Sequence, residues 1–574
     1  MDITEFPILN KIHSLKQRHW STTKIHCYSD IKIANEIGVS EILTQILIPQ
    51  GINTRADIYR FLNPQKTFLV SDILISQYIK DVVSMMLCTV LNKEKILIIG
   101  NSSVDTVMAT SLLVKYLTLY CNEVDFYLFS TREGLIDVCN KYIDQKYKLF
   151  TFDQMLSMPK KNIVSISRNL TEVQVKNHSH FPKSQKQYDS ERISISYLIF
   201  LIITLLDKAI RNQSYYKNNT LINYLDIVAM GTLYGNVDMH GINRASVIQG
   251  INILVQKKNI GFKSLINFLA AEKKTPRENL VYQIGRKICS AVYMNQATII
   301  VKLLTSLYEQ DAIALVKRLH TIDQQCKGIE NILIDQARQS CNQEDKITFL
   351  IYEEIPYIEM MNNIAKILRN MYCKPVILVV KKVTLAFMIF ECIQNFGMCN
   401  FIAKAVKTKL IKRIQNANST EQYIIKIDKL DIFQEHVKHY INTIQNWQSI
   451  HDQAATINID ICARINDINL QLYDTVTRLA PYGKGNKKPI VYLKYCIIIQ
   501  IYNSSQGIIF FIRDSILTRS QNIKCILFHE RGLNCIKCPV DIGSKLQIVG
   551  NLQINQKIHG QIDLIVHDIS YESL

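Results

Sequence analysis

The sequence predicts an α/β protein of several domains, with a parallel sheet in its first half and a small β-barrel or sandwich at its C-terminal end. Three observations support this fold class. Apolar runs alternate with helical patterns between residues 95 and 167, which is typical of a parallel, doubly wound sheet. A long amphipathic pattern covers residues 312–337. Short strand patterns separated by turns follow residue 457.

The parallel sheet is predicted from four short runs that begin at residue 95. The candidate strands are residues 95–100 (KILIIG), 124–129, 148–153 and 162–167. The first of them is continuously apolar, as expected of a strand that is covered on both faces. Functional side chains of such sheets lie beyond the C-terminal ends of the strands. This rule selects residues 101–105, Asp153, residues 167–169 and the turn after the apolar stretch 224–231.

The remaining patterns divide the chain further. Residues 193–206 are an apolar run of 14 residues, which predicts a buried helix because it is too short to span a bilayer. The helix at 312–337 contains no proline and suits a connection between domains, with an ordinary core helix as the alternative. A second α/β domain is expected from residue 346, with a strand at 374–381 and a helix at 430–447. The C-terminal strands are expected at 457–463, 494–502, 507–512, 523–528, 546–549 and 561–569.

Charge and cysteine content restrict the class of protein. The 574 residues include 67 basic and 49 acidic side chains, a surplus of 18 positive charges. Such a surplus favours a polyanionic partner such as nucleic acid, although biased composition is the alternative. The 15 cysteines are scattered, and the first twenty residues contain Asp2 and Glu5 but no apolar segment typical of a secretory signal. We therefore expect reduced thiols in a cytoplasmic monomer that does not insert into membranes.

Several segments, in this order, carry a family resemblance. They are residues 48–64 (IPQGINTRADIYRFLNP), 95–113 (KILIIGNSSVDTVMATSLL), 225–244 (LDIVAMGTLYGNVDMHGINR), 480–489 (APYGKGNKKP) and 554–569. The chain resembles RecJ, the family of single-strand-specific 5′→3′ DNA exonucleases within the DHH phosphoesterase superfamily. The resemblance implies an N-terminal segment (1–75), a DHH-like core domain (76–310), a connecting helix (311–345), a DHH-associated-like domain (346–456) and an OB-fold domain (457–574).

The resemblance also implies a site for two divalent metal ions, Mn²⁺ or Mg²⁺, and this sequence has lost most of its ligands. Two neighbouring dications repel each other and need a dense set of carboxylates and imidazoles. The positions that match the family's ligands are Asn101, Ser103, Asp105, Asp153, Ser167, Arg168, Asn169 and Gly235. Asp105 and Asp153 are the remnant ligands. Arg168 keeps its positive charge and would repel a metal, so it either contacts a DNA phosphate or occupies a position with no ligand.

The strand-gripping motifs of the family's second domain are also altered. Its first glycine-rich loop has no counterpart in residues 381–391 (KKVTLAFMIFE), and its Gly-Gly-His motif reads Gly397, Met398, Cys399. Met398 is expected to add a side chain where the backbone would approach the ligand. Further back in the chain, within the DHH-like core, the family's "RLNAAGR" segment reads KICSAVY at residues 287–293, without its arginines.

The loop that opens the OB-fold domain is better preserved. Tyr482, Lys484, Lys487 and Lys488 combine an aromatic ring with three cations, the usual means of binding single strands without sequence preference. The alternative is a solvated basic turn with Tyr482 in the core. A zinc site is not expected from Cys525, His529, Cys535 and Cys538, because the gap between the first two lies across a strand pattern.

Three functions remain open from the sequence. The first is a single-stranded DNA-binding protein of repair or recombination whose catalysis is impaired or lost. The second is an active exonuclease dependent on Mn²⁺ or Mg²⁺, with substitute ligands such as Asp238 and His240. The third is a non-catalytic scaffold for a DNA repair or replication protein.

Overall fold

The computed structural model describes most of the chain. The described residues are 14, 16, 18–22, 40–64, 77–130, 134–152, 163–166, 193–211, 221–272, 277–342, 345–353, 355, 357, 359–393, 396–415, 421–504, 507–517, 520–528, 541–555, 558 and 560–571.

The N-terminal segment packs against the opposite end of the chain. It contains strand β1 (Trp20–Thr22) and helices α1 (Glu41–Leu47) and α2 (Arg55–Leu62). Strand β1 pairs in parallel with Ile457–Ile459. Buried side chains of α1 and α2 belong to the same apolar cluster as the C-terminal barrel. No local pattern in the sequence predicts this contact.

The first α/β domain is built on a four-stranded parallel sheet. Its strands β2 (Lys95–Asn101), β3 (Val124–Phe129), β4 (Tyr147–Phe152) and β5 (Ile163–Ile166) lie in the order β3-β2-β4-β5. All three pairings are parallel, and each predicted strand is confirmed to within one residue at either end.

Helices cover this sheet and continue beyond it. They are α3 (Gln77–Leu91), α4 (Val104–Leu117), α5 (Leu135–Asp144), α6 (Ile195–Arg211), α7 (Leu225–Tyr234), α8 (Gly241–Val255), α9 (Ile260–Glu272), α10 (Arg277–Tyr293) and α11 (Thr298–Thr305). Helix α6 confirms the buried helix expected from the long apolar run. Within the described ranges, no helix is both long and apolar enough to cross a membrane.

The apolar stretch at 224–231, whose following turn was selected above by the rule for strand ends, is helical and is not a strand. Residues 225–232 of α7 are all buried. A helix that is buried on every side has no polar face, so its sequence shows no helical period. A short apolar run of this kind is therefore equally compatible with a buried helix and a buried strand.

A single long helix connects the two α/β domains. Helix α12 (Glu309–Ser340) has 32 residues and is therefore about 48 Å long at 1.5 Å per residue. It extends the predicted pattern by three residues at each end. Its first half contributes Val316 and Leu319 to the core of the first domain, and its last turns contribute Leu333 and Ile334 to that of the second.

The second α/β domain has a mixed five-stranded sheet in the order β6-β7-β8-β10-β9. Its elements are β6 (Thr348–Tyr352), α13 (Met360–Tyr372), β7 (Val376–Lys382), β8 (Leu385–Glu391), α14 (Met398–Lys407), β9 (Lys412–Gln415), β10 (Glu421–Lys426), α15 (Leu430–Thr443) and α16 (Trp447–Ala454). Strands β7 and β8 form a hairpin with Lys382 opposite Leu385. This two-residue turn leaves no room for the family's glycine-rich loop.

The C-terminal domain is a closed barrel. Strands β11 (Ile457–Ile459) and β12 (Ile461–Ala463) and helix α17 (Leu470–Thr477) lead into β13 (Val491–Ser504), β14 (Gly507–Asp514), β15 (Ile523–Phe528), β16 (Lys545–Ile554) and β17 (Ile562–Tyr571). The last five strands are hydrogen-bonded in the order β13-β14-β15-β17-β16, and β16 pairs again with β13. This closure selects the barrel over the sandwich and agrees with the OB-fold that the resemblance implies.

A buried arginine joins the barrel to the first domain and to the N-terminal segment. Arg244 on α8 is 1% exposed, and its guanidinium lies 3.9 Å from the ring centre of Phe61. Its Nε donates to the Phe61 carbonyl oxygen at 2.9 Å. Its two terminal nitrogens donate to the carbonyl oxygens of residues 478–481, at 2.8 to 3.4 Å. Burial lowers the pKa of Arg244 to about 10, so the side chain remains charged at neutral pH.

We predict that Arg244→Leu lowers the free energy of unfolding by about 3–5 kcal/mol, because it leaves buried carbonyl groups without donors. The urea midpoint should fall when it is followed by tryptophan fluorescence, since Trp20 is buried beside Tyr492 of the barrel. Arg60→Gln is the control, because Arg60 is exposed and forms an ion pair with Asp57 on the surface. Equal urea midpoints for Arg244→Leu and Arg60→Gln would contradict the structural role of Arg244.

A buried carboxylate makes the first domain sensitive to pH. Asp226 on α7 is 1% exposed; its Oδ1 accepts from the backbone N–H of Ile227 at 2.7 Å, and its Oδ2 has no hydrogen-bond partner among the described residues. Burial raises the pKa of Asp226 to about 7, against a smaller opposing effect from Lys115. The folded protein therefore holds a proton that the unfolded chain releases near pH 4.

We predict that stability falls between pH 4 and pH 7 and that Asp226→Asn removes part of this fall. A group whose pKa is raised on folding stabilises the protein fully below its unfolded pKa, and this contribution is lost as the pH rises through the folded pKa. Melting temperatures measured across this range should diverge most at pH 7 and above. Asp137→Asn, which removes a carboxylate at an exposed position, is the control. Parallel curves for the wild type and Asp226→Asn would refute the prediction.

Candidate functional site

The turn that follows strand β2 lies at the C-terminal edge of the parallel sheet. Asn101 is 3% exposed, and its Oδ1 accepts from the backbone N–H of Ser103 at 2.9 Å. Ser103 is the N-cap of α4: its Oγ accepts from the backbone N–H of Thr106 and donates to Thr106 Oγ1 at 3.0 Å. These neutral side chains thus stabilise the turn and the helix start.

The remnant ligand Asp105 is used as a helix cap. It is 1% exposed. One oxygen accepts from the backbone N–H of Ile195 at 2.7 Å. The other accepts from the N–H of Ser196 at 2.9 Å and from Ser196 Oγ at 2.7 Å. A carboxylate at the start of α6 satisfies N–H groups that lack partners in the helix and interacts favourably with the helix dipole.

Gly235, which matches the last aspartate of the family, lies directly against Asp105. A Cβ atom built on Gly235 would lie 2.5 Å from the carbonyl oxygen of Gly231 and 2.9 Å from the Cβ of Asp105. The fold therefore brings these two motif positions together. A carboxylate at position 235 would require α7 to shift away from α4.

Hydroxyl and amide groups complete the surroundings of Asp105. Ser194 and Thr232 share a hydrogen bond of 2.7 Å, and the N–H of Ser194 donates to Asn243 Oδ1 at 3.3 Å. Sequence reasoning missed Ser194 and Ser196. The signal was present, because serine just before an apolar helical run is a helix-start pattern.

The described residues at these motif positions do not fit a two-metal centre. They supply one carboxylate, and three donors already occupy it. Among all described residues there is no group of three or more His, Cys, Asp or Glu side chains arranged to hold a metal ion. The predicted positions Asp153, Ser167, Arg168 and Asn169 lie outside the described residues.

Of the four candidate zinc ligands, Cys525 is the one that lies within the described residues. Cys525 is fully buried inside the barrel, and this burial raises the pKa of its thiol well above the usual value. His529, Cys535 and Cys538 lie outside the described residues.

Asp238 and His240, considered above as substitute metal ligands, contact the loop that opens the barrel. Lys484 Nζ lies 3.3 Å from Asp238 Oδ1, and the N–H of Met239 donates to the Lys484 carbonyl at 2.8 Å. His240 Nε2 lies 3.1 Å from the carbonyl oxygen of Gly485. These contacts hold the barrel loop against the first domain.

The four residues proposed to bind nucleic acid in this loop have different environments. Tyr482 packs against the barrel core and donates its hydroxyl to the Val476 carbonyl at 2.8 Å, which is the core arrangement left open by the sequence. Lys484 pairs with Asp238. Lys487 is exposed and Lys488 half-buried, and both line a cleft of about 730 Å³ between α1 and residues 456–463.

The expectation for Met398 is wrong. Gly397, with φ +74°, directly precedes α14, and Met398 is 1% exposed in the apolar core of the second domain. Its side chain therefore does not lie on the surface where a ligand would approach. A hydrophobic side chain at the first position of a helix turns inward when that helix packs its apolar face on the sheet.

We predict that Asp105→Ala lowers the free energy of unfolding by about 2–4 kcal/mol, since three hydrogen bonds to a buried charge and the cap of α6 are lost. Asp105→Asn keeps the size but removes an acceptor, and should lie between Ala and the wild type. Asp474→Ala, at an exposed helix position, is the control. If the Asp105→Ala and Asp474→Ala variants unfold at the same denaturant concentration, Asp105 is not a structural cap.

Comparison with known proteins agrees with this architecture. The RecJ OB domain family matches residues 459–568. A curated relative, the single-stranded-DNA-specific exonuclease RecJ of Bacillus subtilis (strain 168), is 18% identical over 537 residues, which cover 91% of this chain and 67% of that protein.

Solved RecJ structures share the fold. RecJ from Thermus thermophilus in complex with Mn²⁺ has a TM-score of 0.70 at 14% identity, covering 97% of this chain and 80% of that chain. Its complex with Mg²⁺ gives 0.69 at 14% identity, covering 97% and 79%. The chain therefore contains a RecJ OB domain at residues 459–568, is similar to a RecJ exonuclease along most of its sequence and shares the fold of solved RecJ structures.

Proposed function

We propose that this chain binds single-stranded DNA in repair or recombination and does not cleave it by the two-metal route of its relatives. The observation that supports this most strongly is the state of Asp105. Its carboxylate, which the resemblance assigns to metal, accepts three hydrogen bonds at the start of α6.

Charge and domain type support binding to a single strand. The surplus of 18 positive charges favours a polyanion, and OB-folds bind single strands by combining backbone attraction with stacking. Lys487 and Lys488 lie at a cleft, where a strand that crosses the barrel would meet them. The relative from Bacillus subtilis is named for its specificity for single-stranded DNA, and we propose the same ligand here.

The side chains at the motif positions support the loss of cleavage. A pair of metal ions lowers the barrier to phosphodiester cleavage by stabilising both the attacking and the leaving oxygen. Asn101, Ser103 and Gly235 provide no charge to hold such a pair, and Asp105 would have to give up its helix cap to do so. The protein would then hold or protect a strand.

We predict that the purified protein, with excess Mn²⁺ or Mg²⁺, releases no mononucleotides from a labelled single strand. The assay is gel electrophoresis of the labelled strand, with an active RecJ as the positive control. A nuclease activity that copurifies with this chain, shortens the strand steadily and stops when the metal ion is chelated would contradict the proposal. It would favour the active exonuclease.

We predict that the double variant Lys487→Glu with Lys488→Glu weakens strand binding at least about tenfold at low salt and flattens its salt dependence, because each lost phosphate contact removes about 0.7 from the logarithmic slope. Fluorescence anisotropy with an oligothymidylate measures both. The control is Lys257→Glu with Lys258→Glu, which makes the same charge change at two exposed neighbouring lysines.

The outcomes of this titration separate the candidate functions. Equal affinity for both double variants would exclude the barrel loop as a binding surface. Absence of strand binding by the wild type, even at low salt, would refute the proposed function and leave the scaffold for a repair or replication protein.

A further inference from the structure

Three cations converge on one buried carboxylate between helices α10 and α12. Asp323 Oδ1 lies 3.2 Å from Arg286 Nη2, and its Oδ2 lies 3.4 Å from Lys287 Nζ and 3.3 Å from Lys327 Nζ. Ser290 Oγ also donates to Oδ1 at 2.9 Å. We call these four charged side chains the Asp323 cluster.

The members of the Asp323 cluster differ in their exposure. The side chains of Asp323 and Lys287 are only 3% and 6% exposed, whereas those of Arg286 and Lys327 are 30% and 33% exposed. Lys287 is held from behind by His320, whose Nδ1 lies 2.9 Å from Lys287 Nζ. The interior of the cluster is therefore fixed, and two cationic groups reach solvent at its edge.

The charges of the Asp323 cluster do not balance. Three cations and one carboxylate sum to +2, and His320, as the acceptor for Lys287, contributes no negative charge. One cation would suffice to link the two helices through Asp323, and each further one adds repulsion at short range. The next acid along this face of α12, Glu330, accepts a hydrogen bond from the neutral Asn363 at 2.6 Å, and when its charge is counted with the Asp323 cluster a surplus of +1 remains. An external anion would relieve this excess.

The position of the Asp323 cluster suits a ligand that runs between the domains. Cys326 of α12 is in the core of the first domain, and Leu333, two turns later, is in the core of the second. Lys327 therefore projects from α12 at the point where the helix passes from one domain to the other.

We propose that the Asp323 cluster is a phosphate-binding site, with Arg286 and Lys327 as the direct ligands and Lys287 as a buried supporting charge. Arginine and lysine bind phosphate through charge-assisted hydrogen bonds. The identification of the ligand as a backbone phosphate of a single strand rests on the proposed function. Free inorganic phosphate offers the same chemistry.

The test compares Lys327→Gln with Lys317→Gln, which removes the same charge at an exposed position of the same helix outside the Asp323 cluster. Lys327→Gln leaves Asp323 paired with two cations, so the fold should be retained and the melting temperature should change little. Two ligands are titrated: an oligothymidylate, followed by anisotropy at several salt concentrations, and inorganic phosphate, followed by calorimetry against chloride of equal ionic strength.

We expect Lys327→Gln to weaken strand binding roughly three- to tenfold and to reduce the logarithmic salt slope by about 0.7, while Lys317→Gln changes neither. Inorganic phosphate should bind the wild type and not Lys327→Gln. Arg286→Gln should weaken binding in the same way as Lys327→Gln. Because Arg286 lies on α10 and Lys327 on α12, agreement between the two variants would exclude a local disturbance of one helix as the cause.

The results separate this proposal from the proposed function. If the wild type binds the strand and Lys327→Gln binds it equally, with the same salt slope, the phosphate site is refuted and the proposed function stands. If no strand binds but phosphate binding depends on Lys327, the site stands and the proposed function fails. If neither ligand binds the wild type, both are refuted.

Discussion

The assembly of this chain depends on one buried guanidinium. Arg244 uses its donors on carbonyl groups of α2 and of the turn that enters the barrel, so three separate parts of the sequence meet at one side chain. Carbonyl groups buried at such a junction need donors, and a single planar group with five N–H bonds supplies them in a fixed geometry. The loop with Lys484 and Gly485 is held against the first domain as a result, and the face of the barrel has a defined position relative to the parallel sheet.

The need of buried backbone groups for hydrogen-bond partners also explains the contacts of Asp105. A carboxylate has a limited number of acceptor sites, and those of Asp105 are directed at the start of α6. Asn101 and Ser103 retain the turn by bonding to its backbone, and Gly235 fits against Asp105 because it has no side chain. At the described motif positions, neutral side chains thus satisfy the backbone of the turn after β2, and the one carboxylate is bound to the start of α6.

Much of the fold could be predicted from local patterns. The strands of the first sheet and the long helix α12 were located to within a few residues because their periods are clear. The family resemblance assigned the positions of Asp105 and Gly235 to the same metal site, but the sequence did not indicate that Ser196 would bind Asp105. The Asp323 cluster was also missed, since its side chains come from two helices and are separated by more than thirty residues. Residue type and spacing along the chain do not show which faces of two helices pack together, so contacts between α10 and α12 could not be predicted.

The sequence by itself determined the class of fold, the excess of positive charge and, through the family resemblance, the absence of carboxylates from most motif positions, because each of these is a property of residues close together or of simple composition. Only the tertiary structure decided that β1 pairs with Ile457–Ile459, that Met398 is a core residue and that Asp105 caps a helix. These outcomes depend on contacts between distant segments. Burial and hydrogen-bond satisfaction select among such contacts, and both are set by the packed chain as a whole.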